Sequence, residues 1–483
     1  MFKKLFHSAV FNSWFSGIVS LISSLIALPI VITKLSVEEI NVWLLFSSIV
    51  VLSQGVQFGF NSTFSRFIVY VYNGVRIDEF KNLRFKSEMK TKSCFDENEF
   101  LRVFNLMRFI YLFVTILYFV LLCLVGITIL SKPLNSLVNP IDGWIAGSII
   151  AISTTLNLYF SYHQNFMLGI NKVALLQRIT GVINFFGIGI ILLVFYFNPT
   201  LISLVFIYQV ITLIVLFSII YYSKKEFSNI CFKDPYFKFD KELFHIVWHY
   251  AWKSGITILV SNLIRHMSVL IVSQFFSPAI SASFLFTRKV FNIIENFTMI
   301  TFQARLPVIA KYRGIADFDK LIPFLKQTQY ITYGVFLLGY IILITGGEYI
   351  LSFLNSNVRL GSHALIILFS FSTFMTRWGG MTLAISNQSN NVVEHINAVV
   401  VITVYSLIVF LGFVSLGVEV FPFALTLSMF AVAPFIIKYT YKYLFTTFWT
   451  YEKNVCIPYF ASLTLINIIY LYYLKHTDSF TFF

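Results

Sequence analysis

Apolar stretches long enough to cross a lipid bilayer follow one another along almost the whole chain. A transmembrane helix needs roughly 20 apolar residues, and any spanning segment must satisfy its backbone hydrogen bonds without water. The stretches lack the alternation of polar and apolar residues that is typical of membrane β-barrel strands. The sequence therefore predicts an all-α integral membrane protein with 12 to 13 transmembrane helices. The predicted spans are 9–33, 41–66, 103–131, 143–169, 173–197, 200–222, 245–275, 279–306, 327–350, 362–386, 392–416 and 420–446, with a weaker thirteenth at 455–474.

Composition excludes an ordinary soluble protein. Hydrophobic residues make up 58% of the 483 residues and charged residues only 12%, whereas soluble proteins carry about 25% charged residues. The four cysteines, Cys94, Cys123, Cys231 and Cys456, show no spacing typical of metal ligands. We therefore expect no metal site, no disulfide and no cofactor.

The distribution of basic residues predicts the orientation of the chain. The formal net charge is +14, but the lysines and arginines are spread over the connecting loops and form no single patch for nucleic acid. The odd-numbered connections hold few of them, namely Lys34, Lys132 and Arg359, and the even-numbered connections hold many more. Because cytoplasmic loops are enriched in lysine and arginine, we expect a cytosolic N-terminus.

The two halves of the chain carry a similar motif. Trp14-Phe15-Ser16-Gly17-Ile18 in the first span matches Trp252-Lys253-Ser254-Gly255-Ile256 in the seventh. Six helices per repeat would give both copies the same orientation, so the two lobes should be related by a pseudo-twofold axis along the membrane normal. The predicted organisation is an N-terminal six-helix lobe (1–222), a cytoplasmic linker (223–243), a C-terminal six-helix lobe (244–450) and a tail with an extra helix (451–483).

Several ionisable residues lie inside the predicted spans of the second half. A charge within a bilayer is costly, so such residues mark functional sites. Four are cationic, Arg265, Arg288, Lys289 and Arg377, and they predict a cavity that binds a negatively charged substrate. A guanidinium group suits phosphate because it donates bidentate hydrogen bonds and keeps its charge when half buried. The alternative is that these charges pair internally, for example Arg288 or Lys289 with Glu295.

Polar residues at helical spacing extend this candidate cavity. Ser261 shares a face with Arg265, and Asn292 and Glu295 share a face with Arg288. Ser47 and Gln54 occupy the equivalent places in the first repeat, so they are predicted to line the cavity through neutral hydrogen bonds. Candidate protonation or coupling residues are Glu295, His266 and His163, although a lone histidine in a helix is more often a hydrogen-bonded packing residue.

Two further segments resemble a known transporter family. They are Gln54-Gly55-Val56-Gln57-Phe58-Gly59-Phe60, which continues to Ser65-Arg66-Phe67, and Phe166-Met167-Leu168-Gly169-Ile170-Asn171-Lys172, which precedes the glycine-containing fifth span. With the repeat and the basic loops, they resemble the polysaccharide (O-antigen, Wzx-type) flippases of the multidrug/oligosaccharidyl-lipid/polysaccharide (MOP) exporter superfamily. The first span departs from the related lipid II flippases. Its polar stripe consists of serines, whereas those proteins carry charged residues in this helix.

This resemblance implies a role in polysaccharide or lipopolysaccharide biosynthesis. The cargo would be an undecaprenyl-diphosphate-linked oligosaccharide, moved from the cytosolic to the outer leaflet of the bacterial inner membrane by alternating access. It implies coupling to a proton or sodium gradient or to the membrane potential. Its partners would be the lipid bilayer and other membrane proteins of polysaccharide assembly.

Two alternatives remain open at this point. A multidrug exporter of the same superfamily would handle mostly cationic drugs and would favour buried carboxylates, whereas Glu295 is the one acidic residue predicted deep in a span. A membrane-embedded glycan polymerase or ligase would also bind a lipid diphosphate, but such enzymes usually carry a large outer loop. The chain contains no Walker A, HExxH or GxSxG motif, so we expect no enzyme.

Overall fold

Helices form every regular element in the described part of the chain. The computed structural model describes residues 9–57, 59–74, 76–77, 95–231, 239–314, 317–387, 394–443 and 447–476. The helices are α1 (Ala9–Lys34), α2 (Val37–Gly55), α3 (Phe60–Tyr72), α4 (Glu97–Val125), α5 (Ser131–Asn135), α6 (Pro140–Gly169), α7 (Val173–Phe197), α8 (Leu201–Ile230), α9 (Lys241–Phe275), α10 (Pro278–Gly314), α11 (Phe318–Phe353), α12 (His363–Asn387), α13 (Glu394–Leu416), α14 (Val420–Tyr443), α15 (Phe448–Glu452) and α16 (Cys456–His476). A π-helical turn, Gly126–Leu130, joins α4 to α5, and a 3₁₀ turn, Gly417–Glu419, joins α13 to α14.

Many of these helices can cross a bilayer. By length and composition, 8 helical stretches among the described residues are long and apolar enough, and they include Phe318–Phe353 and the C-terminal Cys456–His476. Helices α10 and α12, which carry Arg288, Lys289, Glu295 and Arg377, are not among them, whereas the part of α9 that carries Arg265 is. The all-α, multi-pass membrane fold is confirmed, and the helix bounds are compatible with the predicted 12 to 13 spans.

The second predicted span, 41–66, is not one helix but two. Helix α2 ends at Gly55 and α3 begins at Phe60, after Gly59 in a left-handed conformation with φ of 71°. A Cβ atom on Gly59 would lie 2.4 Å from the Ala251 carbonyl oxygen and 2.7 Å from the Gly255 nitrogen. Glycine is therefore required here by both the backbone conformation and the close approach of α9.

Packing divides the chain into two compact units, which are described separately. The first comprises residues 1–23 and 45–266, and the second comprises residues 24–44 and 267–483. In the first unit, α6 packs against α4 and α8, and α7 packs against α8. In the second unit, α14 packs between α12 and α13, α10 packs against α11, and α16 contacts α11 and α12. The predicted lobes, 1–222 and 244–450, stay a prediction.

Aromatic side chains fill the core of the first unit. Phe100, Phe104 and Phe166 are buried and pack together with Phe227, whose ring centroid lies 4.7 Å from that of Phe104. Tyr111 is buried in the same cluster and accepts a hydrogen bond from the Asn165 amide at 2.5 Å. These rings hold α4, α6 and α8 together.

One asparagine attaches the start of the second unit to a later loop. The Asn357 backbone N–H donates to the Ile32 carbonyl at 2.8 Å, and its side-chain amide donates to the Leu35 carbonyl at 2.8 Å. The last carbonyls of a helix have no intrahelical partner, so Asn357 satisfies two groups at the end of α1. This contact helps to explain why residues 24–44 pack with the second unit.

We expect Asn357→Ala to lower the thermal stability of the protein. The variant loses the side-chain bond to Leu35, which is worth about 0.5–1.5 kcal/mol. The apparent Tm in detergent should fall below that of Asn139→Ala, a control that removes only an exposed hydrogen bond to Asp142. Equal Tm values for the two variants would contradict this role of Asn357.

Candidate functional site

A buried ion pair joins two of the predicted site residues in the second unit. Arg377 of α12 donates from Nη2 to Oε1 of Glu295 of α10 at 2.5 Å. The two side chains are only 6% and 13% exposed. Internal pairing of Glu295 with Arg288 or Lys289 was one alternative from the sequence, and the ion pair found in the structure is with Arg377. The pair forms because α10 and α12 pack side by side, which sequence spacing alone does not reveal.

Arg377 retains donor capacity beyond this pair. Its Nη1 approaches the Met299 sulfur at 2.6 Å, and its buried Nε has no hydrogen-bond partner among the residues that the structure describes. A thioether is a weak acceptor, so the guanidinium is well compensated in charge but incompletely satisfied in hydrogen bonds.

Arg288 of α10 contacts the C-terminal part of α9. Its Nη1 donates to Oγ of Ser268, which is buried, and Arg288 itself is half-buried. Ser268 continues the helical face that Ser261 and Arg265 occupy on α9. This hydrogen bond joins α10 to the C-terminal part of α9 within the second unit.

Lys289, the next residue, points elsewhere. Its ammonium nitrogen lies 6.0 Å from the centroid of the Trp43 ring, within the range of a cation–π contact. Trp43 belongs to α2 in the part of that helix that packs with the second unit. Of these two neighbouring cations on α10, Arg288 contacts the Ser268 hydroxyl and Lys289 contacts the Trp43 ring.

The remaining predicted site residues are distributed over both units. Asn292 is half-buried on α10 in the second unit, and the side chain of Gln54 lies outside the described residues. The others belong to the first unit, where Ser261 and Arg265 are exposed and Ser47 and His266 are half-buried. That Arg265 and Arg288 bind one ligand together stays a prediction.

His163 is held as a packing residue. It is 4% exposed, its Nδ1 lies 2.8 Å from Oγ of Ser223 on α8, and its ring packs against Tyr162 at a centroid distance of 4.2 Å. The other ring nitrogen, Nε2, has no partner among the described residues. This environment matches the packing alternative better than the proposed proton-transfer role.

Sequence reasoning missed a buried carboxylate, Glu452, which lies in the second unit. Its side chain accepts hydrogen bonds from the Trp378 indole N–H at 3.1 Å, from the Tyr441 hydroxyl, and from the Cys456 backbone N–H at 3.0 Å. Glu452 is 0% exposed. It ends the short helix α15, which Thr447 caps, and its side chain accepts from the first backbone N–H of α16. No sequence signal marks it, because Trp449-Thr450-Tyr451-Glu452-Lys453 looks like an exposed interhelical loop.

The environment of Glu452 changes its proton affinity. Burial raises the pKa of its carboxyl above the ordinary value, although the hydrogen bonds from Tyr441, Trp378 and Cys456 act in the opposite direction. The neutral acid is therefore favoured more than in an exposed glutamate.

In the residues that the structure describes, no group of three or more His, Cys, Asp or Glu side chains could hold a metal ion.

A double-mutant cycle should reveal the energetic coupling of Arg377 and Glu295. Arg377→Met leaves the mostly buried Glu295 carboxylate without its cation, and breaking a buried pair in this way costs about 3–5 kcal/mol. Adding Glu295→Gln removes the stranded charge, so the double variant should recover much of the apparent Tm. If the loss of Tm in the double variant equals the sum of the losses in the two single variants, the pair is not coupled.

The stability of the protein should also depend on the protonation of Glu452. Folding raises its pKa above the ordinary value of 4.5, so the folded state holds this proton more tightly than the unfolded chain does. The wild type should therefore lose thermal stability relative to Glu452→Gln as the pH rises from the ordinary pKa through the raised one. A Tm difference that is constant with pH would contradict the shift.

The fold resembles that of several solved transporters. A multidrug resistance MATE family transporter of the MOP superfamily, in an inward-facing conformation, matches with a TM-score of 0.60 at 12% identity, covering 88% of this chain and 94% of that one. The lipid II flippase MurJ, in an inward closed conformation, matches with a TM-score of 0.59 at 15% identity, covering 97% and 92%.

A third match is a MOP superfamily transporter from Pyrococcus furiosus Vc1, described as having a binding pocket of reversed polarity. Its TM-score is 0.55 at 10% identity, and the match covers 91% of this chain and 97% of that one. No protein-family model and no curated protein matches the sequence. At these identities the likeness establishes the fold, so the chain is a multi-pass membrane protein with the fold of the MATE and MurJ transporters.

Proposed function

We propose that the protein is a flippase that moves an undecaprenyl-diphosphate-linked oligosaccharide from the cytosolic to the outer leaflet of the bacterial inner membrane by alternating access. The solved proteins of this fold are described as transporters and a flippase, which favours transport over glycan polymerisation or ligation. The cargo would belong to O-antigen or a similar polysaccharide, and the N-terminus would be cytosolic.

The charge distribution on α10 and α12 carries this proposal. Three cations, Arg288, Lys289 and Arg377, accompany the acidic residue Glu295, which is already paired with Arg377. Arg288 and Lys289 thus give this part of the second unit a cationic excess. Arg288 is half-buried beside a hydroxyl, where its guanidinium can exchange that partner for phosphate oxygens.

The multidrug exporter is the second candidate, since transporters of multiple drugs share this fold. Such a protein would bind cationic drugs and needs a carboxylate that can face the drug. Glu295 is held by Arg377, and Glu452 is enclosed by three donors. These contacts favour an anionic ligand over a cationic one.

Arg288→Ala should weaken binding of undecaprenyl diphosphate to the purified protein. Losing hydrogen bonds to a charged ligand costs about 1.5–3 kcal/mol, or roughly ten- to hundredfold in affinity. Arg288→Lys should recover only part of this, because lysine keeps the charge and loses the bidentate geometry. In cells, Arg288→Ala should abolish surface polysaccharide while the protein remains folded in the membrane, and Arg265→Ala should do the same.

Two further variants serve as controls. Arg359→Ala removes an exposed cation of the loop between α11 and α12 and should leave binding unchanged. Glu295→Gln removes the partner of Arg377 and no phosphate ligand, so it should do less harm than Arg288→Ala. Normal polysaccharide export by Arg288→Ala would contradict the flippase. Loss of resistance to cationic drugs in Glu295→Gln would establish the exporter instead.

A further inference from the structure

Glu452 is enclosed by four helices of the second unit. The Trp378 indole N–H of α12 and the Tyr441 hydroxyl of α14 both donate to Oε1, and the first backbone N–H of α16 donates to Oε2. The residue itself ends α15 and is 0% exposed. A carboxyl group this deeply buried is normally paired with a cation.

No such cation contacts Glu452 within the described part of the chain. The titratable and charged groups that face it are Lys326 and Tyr333 of α11, Tyr441 of α14, Tyr451 of α15 and Cys456 of α16. Lys326 is the one cation among these, and its ammonium nitrogen lies 5.4 Å from the centroid of the Tyr451 ring. It forms no ion pair with Glu452, whereas Glu295 lies 2.5 Å from Arg377.

The two buried carboxylates of the second unit therefore differ in chemistry. Arg377 stabilises Glu295 as an anion. Protonation of Glu295 would leave the buried guanidinium of Arg377 without a counter-charge. Glu452 is neutralised most simply by a proton. The hydroxyl of Tyr333 is also buried, lies beside the Cys456 thiol and interacts electrostatically with the same carboxyl group.

We propose that Glu452 is a proton-binding site, and that the proton it takes up and releases is the ion coupled to transport. The coupling step rests on the proposed function, whereas proton binding does not. On uptake, one proton from water adds to Oε2, which accepts a single hydrogen bond, and on release the same proton returns to water. Glu452 replaces Glu295, His266 and His163 as the leading candidate for this role.

Helix α12 connects this site to the candidate anion site. Trp378 donates to Glu452, and the preceding residue, Arg377, donates to Glu295. Loss of the Glu452 negative charge weakens the hydrogen bond from Trp378, because bonds to ionised acceptors are the stronger ones. A displacement of Trp378 must move Arg377 with it, and so protonation and anion binding share one helix.

Infrared difference spectroscopy of the full-length protein in liposomes tests proton binding directly. We expect a protonated carboxyl band that persists above the pH at which exposed carboxyls titrate, exchanges slowly with deuterium, and is absent from Glu452→Gln. Glu295→Gln is the matched control and should retain the band. If the wild type shows no such band, or if Glu452→Gln retains it, the proposal is overturned.

A second variant keeps the test decisive if Glu452→Gln fails to fold. Trp378→Phe removes one donor to Oε1 and leaves the carboxyl in place. Because that donor favours the anion, its loss should shift the titration of the band to higher pH. An unshifted titration would count against a proton on Glu452.

Coupling is tested with undecaprenyl diphosphate as the probe, bound to the same proteoliposomes at several pH values. The affinity of the wild type should change with pH by up to about tenfold per unit, the limit for one linked proton. The affinity of Glu452→Gln should lack this linked proton and change with pH only as the diphosphate of the probe itself titrates. An equal pH dependence in both proteins overturns the coupling. If the probe does not bind at all, the proposed function fails, and the infrared result alone decides proton binding.

Discussion

A buried charge needs a counter-charge or a proton, and this requirement shapes the second unit. Glu295 meets it with Arg377 across the interface of α10 and α12. Glu452 meets it, in the proposal above, with a proton, and three hydrogen-bond donors from three helices hold its carboxyl group in place. In an apolar chain such groups would be costly in any other position, so each fixes the helices that supply its partners. The arrangement of α10, α12, α14 and α16 depends on these contacts as well as on apolar packing.

Close backbone approach plays the corresponding role in the first unit. Lipid tails are as apolar as the helices, so burial of apolar surface contributes little to helix association in a membrane. Small residues instead allow intimate van der Waals contact. The absence of a side chain at Gly59 lets the start of α3 lie against α9 beside Gly255, and Gly55 similarly leaves room for the Asn262 side chain.

The fold class could be predicted from the sequence because each span must be long and apolar whatever its neighbours are. The break at Gly59 could not, since the apolar run continues through it and the reason for the break lies on α9. The segment around Gly55 and Gly59 carries part of the family resemblance, and its physical role in this structure is close helix packing. The seventh span carries a glycine of the repeat motif, Gly255, at the same contact.

The candidate site was predicted in part. Intramembrane charge identified Arg288, Arg377 and Glu295 because charged residues stand out in apolar helices. Which cation pairs with Glu295 depends on how α10 and α12 face each other, and no single-sequence pattern contains that information. Glu452 was not predicted, because a single carboxylate between two spans is expected to be solvent-exposed. Its burial depends on the positions of Trp378, Tyr441 and Cys456 in the folded protein.

The adjacent residues Arg377 and Trp378 also limit how α12 can move. Consecutive side chains on an α-helix project about 100° apart, so α12 is hydrogen-bonded to two different neighbours at the same level. Turning this helix about its own axis would break both bonds at once, whereas a tilt or a small slide along its length can preserve both. Within the second unit, rotation of α12 about its axis is therefore restricted, and a displacement that keeps both bonds moves α10 and α15 together with α12.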